Sequence, residues 1–211
     1  MREIFKIVKD KLASKYLKDS NLKSFSSGAK KFKPRIKARI RKNKQFITKN
    51  IEDLFGWIKG AELVELKECN TAEDPVRPEL DNSFRTSYGR KIYGVKYKGE
   101  IYAVMCFAYT NEIPKSVDEL DRLSQDAHLQ STLRGQNVGK IAIAYTVWSK
   151  KKGGGKLIVK EVFKKVKKSN HLNRLVTLSP LTNMATKFHK KNGAKLLQVN
   201  EKTQNFEYEV I

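Results

Sequence analysis

Lys140-Ile141-Ala142-Ile143-Ala144-Tyr145-Thr146-Val147-Trp148 runs directly into Ser149-Lys150-Lys151-Lys152-Gly153-Gly154-Gly155-Lys156. The first part is apolar on both faces of an extended chain, which predicts a buried strand. The second part is a glycine-rich, lysine-bracketed loop, and an amphipathic helix is predicted over residues 157–167. Strand, short glycine loop and helix together form a recurrent anion cradle. The first N–H groups of a helix lack intrahelical partners, and the helix dipole adds partial positive charge there. Glycine lets that backbone come close to an anion, and a diphosphate suits the size of the loop. The plainer alternative is a flexible basic connector. Two familiar nucleotide patterns are absent: Gly-x-x-x-x-Gly-Lys-Ser/Thr, and Gly-x-Gly-x-x-Gly after a first strand.

Outward from this stretch the pattern alternates. Residues 91–97 and 101–109 flank the turn Lys98-Gly99-Glu100 and predict a hairpin. Ser116 and Glu119 have the spacing of a capping box and predict a helix through Val117, Leu120 and Leu123. A strand over 175–178 stops at Ser179-Pro180, and a helix over 183–191 ends at Asn192-Gly193. Strands over 195–199 and 206–210 complete the chain. Residues 70–82, rich in carboxylates and carrying Pro75 and Pro78, read as a loop, and helices are predicted over 2–18 and 45–60. The expected fold class is α/β (α+β): a mixed, mainly antiparallel sheet of about six or seven strands with helices on both faces. A basic helical arm over 1–50 precedes a domain over 51–211.

Several of these segments resemble one superfamily. Lys150-x-x-Gly153-x-Gly155 is similar to the Arg/Gln-x-x-Gly-x-Gly/Ala loop with which GNAT-type acyltransferases hold the pyrophosphate of coenzyme A. Asn183, Ala185, Phe188, His189 and Gly193 resemble the helix-then-strand signature Asn-x-x-Ala-x-x-Phe-Tyr-x-x-x-Gly-Phe. Within the superfamily the chain looks most like the catalytic domain of malonyl-CoA decarboxylases. Asn111-Glu112-Ile113-Pro114-Lys115-Ser116-Val117, Ala142-Ile143-Ala144-Tyr145-Thr146-Val147, Thr177-Leu178-Ser179-Pro180, and Phe188-His189 with Asn192-Gly193-Ala194 match in order. The likeness covers about residues 90–211. The decarboxylases carry a larger helical domain in front, and their catalytic serine stands at the end of the fourth strand. Thr146, Trp148 and Ser149 all occupy that neighbourhood here.

The resemblance implies a coenzyme A thioester as cofactor, with acetyl-CoA the leading donor and malonyl-CoA the alternative. It implies Val147, Trp148, Ser149, Lys150, Gly153, Gly154, Gly155, Lys156 and Asn183 as the residues holding it. His189, Ser149 and Tyr145 are the candidate catalytic residues. His189 stands where most GNAT enzymes place a tyrosine that protonates the departing thiolate, and an imidazole near pKa ~6.5 exchanges protons at neutral pH. Its plainer reading is a half-exposed histidine on a basic helix, beside Lys187, Lys190 and Lys191. Ser149 and Asn183 read equally as caps, and Tyr145 and Trp148 as core. The leading function is an acyl-CoA-dependent GNAT acyltransferase of unspecified acceptor. The alternatives are a malonyl-CoA decarboxylase-like lyase and a non-enzymatic, nucleic-acid-associated component such as a virion protein with assembly partners. His128 and His171 have no ligand at metal spacing, so no metal site is expected.

Charge is distributed in blocks. The chain has 211 residues and a net charge of +22. Residues 1–50 carry 17 basic and 3 acidic side chains, residues 51–150 carry 13 and 15, and residues 151–211 carry 14 and 4. The longest uncharged apolar run, 101–109, falls far short of the ~20 residues of a membrane span, and the N-terminus lacks a signal-peptide core. Two isolated cysteines, Cys69 and Cys106, fit a reducing cytoplasm. Lys30, Lys31, Lys33, Arg35, Lys37, Arg39, Arg41, Lys42 and Lys44 crowd into fifteen positions without an acid. They read as a polyanion-binding arm with nucleic acid as partner, or else as a solubilising helix docked by Ile36 and Ile40. The arm predicts a steep salt dependence on duplex DNA, with log affinity falling by about 0.9 per phosphate contact for each unit of log salt. A salt titration of the full chain and of a truncation lacking residues 1–45 checks this: equal slopes place the binding surface elsewhere.

Overall fold

The computed structural model describes residues 56–135 and 139–208. The basic arm, its nine cations and the predicted helix over 2–18 lie outside them, and of the helix predicted over 45–60 the described residues 56–60 are helical. Eight strands form one sheet: β1 Glu62–Leu66, β2 Lys91–Tyr97, β3 Glu100–Thr110, β4 Ile141–Ser149, β5 Arg174–Thr177, β6 Ser179–Pro180, β7 Ala194–Val199 and β8 Thr203–Tyr208. The order is β1-β2-β3-β4-β5-β8-β6, with β7 on β8. Among the described residues only β4 and β5 pair parallel. The mixed, mainly antiparallel sheet is as expected, with eight strands where six or seven were counted. The extra ones are β1, whose half-exposed edge residues give little alternation, and the two-residue β6.

Beyond the helical residues 56–60, the α-helices of the described residues are α1 Asn82–Thr86, α2 Val117–Arg134, α3 Gly154–Lys167 and α4 Asn183–Lys191. The hairpin turn falls at Lys98 and Gly99, both at positive φ. Ser116 Oγ accepts from the Glu119 N–H at 3.1 Å, and the Glu119 carboxylate returns to the Lys115 N–H, so α2 begins as its capping pattern predicts. Helix α3 starts three residues earlier than its apolar pattern, because the glycines themselves form its first turn. Thr182, not Asn183, caps α4, its hydroxyl accepting from the Ala185 N–H at 3.2 Å.

β4 is apolar on both faces because both are covered. Ala142 and Ala144 pack toward α3 with Met105, Phe107, Ile158 and Val162, while Ile141, Ile143 and Tyr145 pack toward α2 with Val104, Cys106 and Leu120. Between Cys106 and Phe107 the β3 register skips Tyr145, a bulge on β4. It sits beside the point where β4 loses its other neighbour. The last β4–β5 partners are Ala144 and Thr177, and the Leu178 N–H makes a final bond to the Ala144 carbonyl. Past that, the chain follows β8 through β6, while β4 stays with β3.

Residues 70–82 are largely the loop expected, but they are anchored in the core. Asp74 is 2% exposed and Arg85 is fully buried. The Arg85 guanidinium donates to Asp74 at 2.8 Å, to the Leu80 and Arg77 carbonyls, and to the Cys106 sulfur at 3.2 Å. Asp74 also accepts from the Thr146 hydroxyl and from the backbone of Val76 and Arg77. Asp74→Ala strands a buried guanidinium and is expected to cost about 3–5 kcal/mol of stability. Urea denaturation of Asp74→Ala, Arg85→Met and the double variant checks this, and the double variant should lose much less than the sum of the single losses.

Candidate functional site

The parting of β4 from β5 opens a cleft of about 230 Å³. One wall is the end of β4, from Tyr145 to Ser149; the other is Thr177, Ser179 and Pro180 with Phe188 and His189 of α4. Pro75 and Val76 close one side and Gly155 of α3 another. Residues 146–149 have no strand partner on the β5 side, so this edge of β4 faces the opening.

His189 is 5% exposed, not the half-exposed surface residue that its lysine neighbours implied. Its Nε2 lies 2.8 Å from Ser179 Oγ and its Nδ1 lies 2.9 Å from the Tyr208 hydroxyl. Ser179 Oγ donates to Thr177 Oγ1 at 3.0 Å. That chain assigns the tautomer: Nε2–H donates to Ser179, and Nδ1 accepts from Tyr208. Phe206 stacks on the ring at 5.0 Å between centroids. Burial without a charged partner lowers the imidazole pKa to about 4, so His189 is neutral at pH 7. Burial likewise raises the Tyr208 pKa.

The sequence-predicted residues divide into groups. Val147, Trp148, Ser149, Gly155, His189 and Tyr145 line the cleft. Ser149 is exposed at the strand end, its hydroxyl turned to the Lys151 carbonyl at 3.3 Å. The Tyr145 side chain is 1% exposed among the core residues facing α2, edge-on to Phe84. Burial, with Cys106 beside it, pushes its hydroxyl pKa well up. Asn183 is exposed and outside the cleft lining. The serine set against His189 is Ser179, which the sequence offered only as part of Thr177-Leu178-Ser179-Pro180.

The glycines have separate reasons to be there. Gly153, at φ 89°, precedes α3 in the left-handed region. A Cβ on Gly154 would stand 3.0 Å from Ser149 Cβ and 3.3 Å from Ala103 Cβ, and one on Gly155 would stand 3.1 Å from the Phe188 ring. The start of α3 therefore packs closely against β4 and α4, and any side chain at Gly154 or Gly155 would push these neighbours aside. No side chain caps this terminus. The bracketing lysines are not equivalent: Lys150 pairs with Glu73 at 2.7 Å, Lys151 lies over aromatic rings, and Lys152 and Lys156 are exposed. The two cysteines are free thiols: Cys69 Sγ donates to Asn82 Oδ1 at 3.5 Å, and the buried Cys106 accepts from the Arg85 guanidinium at 3.2 Å. Among the described residues no cluster could hold a metal, and no helix is long and apolar enough to cross a membrane.

No family model matches the chain, and no curated protein matches it. Solved structures do. The GNAT-like decarboxylase GphF in complex with isobutyryl-CoA aligns with a TM-score of 0.54 at 10% identity, over 70% of this chain and 98% of that one. The malonyl-CoA decarboxylase of Cupriavidus metallidurans aligns at 22% identity over 67% of this chain, with a TM-score of 0.43, and the match spans 37% of the decarboxylase. A Bacillus subtilis acetyltransferase in complex with CoA aligns at 12% identity over 72% of this chain and 99% of its own, with a TM-score of 0.49. At such identities the likeness is one of architecture, and the GphF match covers almost that whole domain. With its mixed sheet, parted fourth and fifth strands and glycine-started helix between them, the chain has the GNAT fold.

Proposed function

We propose that the chain is an acyl-CoA-dependent acyltransferase of the GNAT class, with acetyl-CoA as the leading donor. One observation carries the reading: the unpaired edge of β4, the glycine start of α3 and the Ser179–His189 pair border a single cleft. The uncapped N–H groups of α3 and the exposed Lys152 and Lys156 would receive the diphosphate. The pantetheine arm would lie along residues 146–149, whose backbone N–H groups polarise the thioester carbonyl. An amine attacks that carbon, the tetrahedral adduct collapses, and the C–S bond breaks. The amine's proton leaves to solvent, and the electrons of the C–S bond leave with the CoA thiolate.

A second reading, a decarboxylase acting on malonyl-CoA, is favoured by the protonation state of His189. A neutral imidazole is a weak acid, and a thiolate is too weak a base to draw its N–H proton. An enolate is a far stronger base. Loss of CO2 breaks the carbon–carbon bond and leaves its electrons on the thioester as an enolate. The imidazole N–H or the Ser179 hydroxyl can then protonate it, with solvent replacing the proton.

Mass spectrometry for co-purifying CoA, followed by turnover assays, tests both readings. Thiol release that requires an amine marks transfer, CO2 from malonyl-CoA marks decarboxylation, and no CoA binding removes both. Ser179→Ala and His189→Ala are each expected to lower turnover by roughly 10²–10⁴-fold with CoA affinity nearly unchanged. Wild-type turnover in both would reduce the pair to packing.

The same histidine sets a pH dependence of stability. Between pH ~6.5 and about 4 the unfolded chain binds a proton that the folded chain refuses. Stability is therefore full above pH ~6.5 and falls as the pH drops through this window, by up to about 3 kcal/mol. Urea midpoints for wild type and His189→Gln between pH 7 and 4 check this, since the variant should show a shallower fall.

A further inference from the structure

The loop between β4 and α3 is fixed by a contact that the proposed chemistry does not use. Lys151 Nζ lies 5.2 Å from the ring centroid of Trp57, 5.3 Å from that of Tyr97 and 4.9 Å from that of Tyr102. The rings support one another, with Trp57 edge-on to Tyr97 at 6.4 Å and to Tyr102 at 6.0 Å. Trp57 is fully buried, and Gly60 leaves room for the Tyr97 ring, since a Cβ there would stand 2.9 Å from it. Three aromatic faces around one ammonium is the arrangement that holds cationic ligands in aromatic cages. Here the cation belongs to the chain itself.

The backbone of Lys151 shows what the cage secures. Its carbonyl accepts from the Gly154 N–H at 2.9 Å and from Ser149 Oγ at 3.3 Å. The next residue back, Lys150, is tied through its N–H to the Tyr102 carbonyl at 2.8 Å and through its ammonium to Glu73. Lys151 thus joins the end of β4 to the first turn of α3, with its side chain as the anchor. These ties hold a loop that contains three glycines, whose conformational entropy is a large cost of ordering it.

We propose that Trp57, Tyr97 and Tyr102 position the glycine loop through Lys151, so that the N–H groups at the start of α3 are set for an anionic ligand before it arrives. Lys151 is a positioning residue in this account and stays in its cage when the ligand binds. The gain is preorganisation: ordering paid on folding is not paid again on binding. The proposal rests on the coenzyme A reading given above.

The test compares four full-length variants by calorimetric affinity for CoA and by the KM of an acyl-CoA against that of the matching acyl-pantetheine, which lacks the diphosphate. Lys151→Met removes the charge and is expected to weaken CoA binding roughly 5–30-fold, as expected for loss of one cation–π site. Lys151→Arg keeps the cation over the rings and should stay within about twofold of wild type. Tyr102→Leu opens the cage while leaving Lys151 in place and should lose affinity as Lys151→Met does; Tyr102→Phe should not. Acyl-pantetheine KM should move in none of them. If wild type does not bind CoA, the coenzyme reading itself fails. If wild type binds and Lys151→Met binds equally well, the coenzyme reading stands and the cage positions nothing. Loss in Lys151→Met with none in Tyr102→Leu would make Lys151 a direct phosphate contact and overturn the proposal.

Discussion

Everything at the site depends on the separation of β4 from β5 after Ala144 and Thr177. A sheet that opens in its interior leaves backbone groups without partners, and each buried orphan costs about 1–3 kcal/mol. Side chains take over. Asn205, fully buried, donates to the Thr177 carbonyl at 2.9 Å and to the Pro114 carbonyl at 3.0 Å. Thr177 Oγ1 accepts from the Phe206 N–H at 3.1 Å. On the far wall the Arg77 guanidinium donates to the Tyr145 carbonyl at the bulge, and Asp74 takes the Thr146 hydroxyl. The opening is therefore held by wedges from two distant parts of the chain, the loop at 74–77 and β8.

That arrangement explains which parts of the fold were legible. β4, the hairpin, the capping box of α2 and the glycine end of α4 are written in local patterns, so neighbouring residues suffice to read them. The wedges are not local. Asp74 sits among exposed carboxylates and prolines in a stretch with every mark of a solvated loop, and only Arg85 and Thr146 give it a reason to be buried. Arg85 in turn is an arginine on a five-residue helix, with nothing in its neighbours to predict full burial. β1 was missed for a different reason: an edge strand with exposed residues needs little apolar alternation.

The candidate site divides along the same line. Ser149 was prominent because it adjoins the glycine loop in sequence, whereas Ser179 meets His189 because β6 and α4 converge beside β8. Ten residues separate the two, and no spacing rule links a strand end to a helix face across that turn. The one signal was that Thr177-Leu178-Ser179-Pro180 and Phe188-His189 both belong to the same family resemblance. The lysines around the loop show the opposite error. Composition treats Lys150, Lys151, Lys152 and Lys156 as one basic bracket, yet a carboxylate holds the first and three aromatic rings hold the second.

The lining of the cleft is chemically mixed. Gly155 brings to it the first turn of α3, a terminus that no side chain caps and whose dipole favours an anion. Val147, Trp148 and Phe188 offer apolar walls, where a neutral chain loses little by leaving water. Thr177, Ser179 and His189 add hydroxyls and an imidazole that burial keeps uncharged. A ligand charged throughout its length would mismatch most of this lining. The proposed thioester matches it, being anionic at its diphosphate, weakly polar along its arm and neutral at its reacting carbonyl. On that proposal a charged His189 would be unfavourable, since an imidazolium there would meet no counter-ion and would pull water toward the thioester.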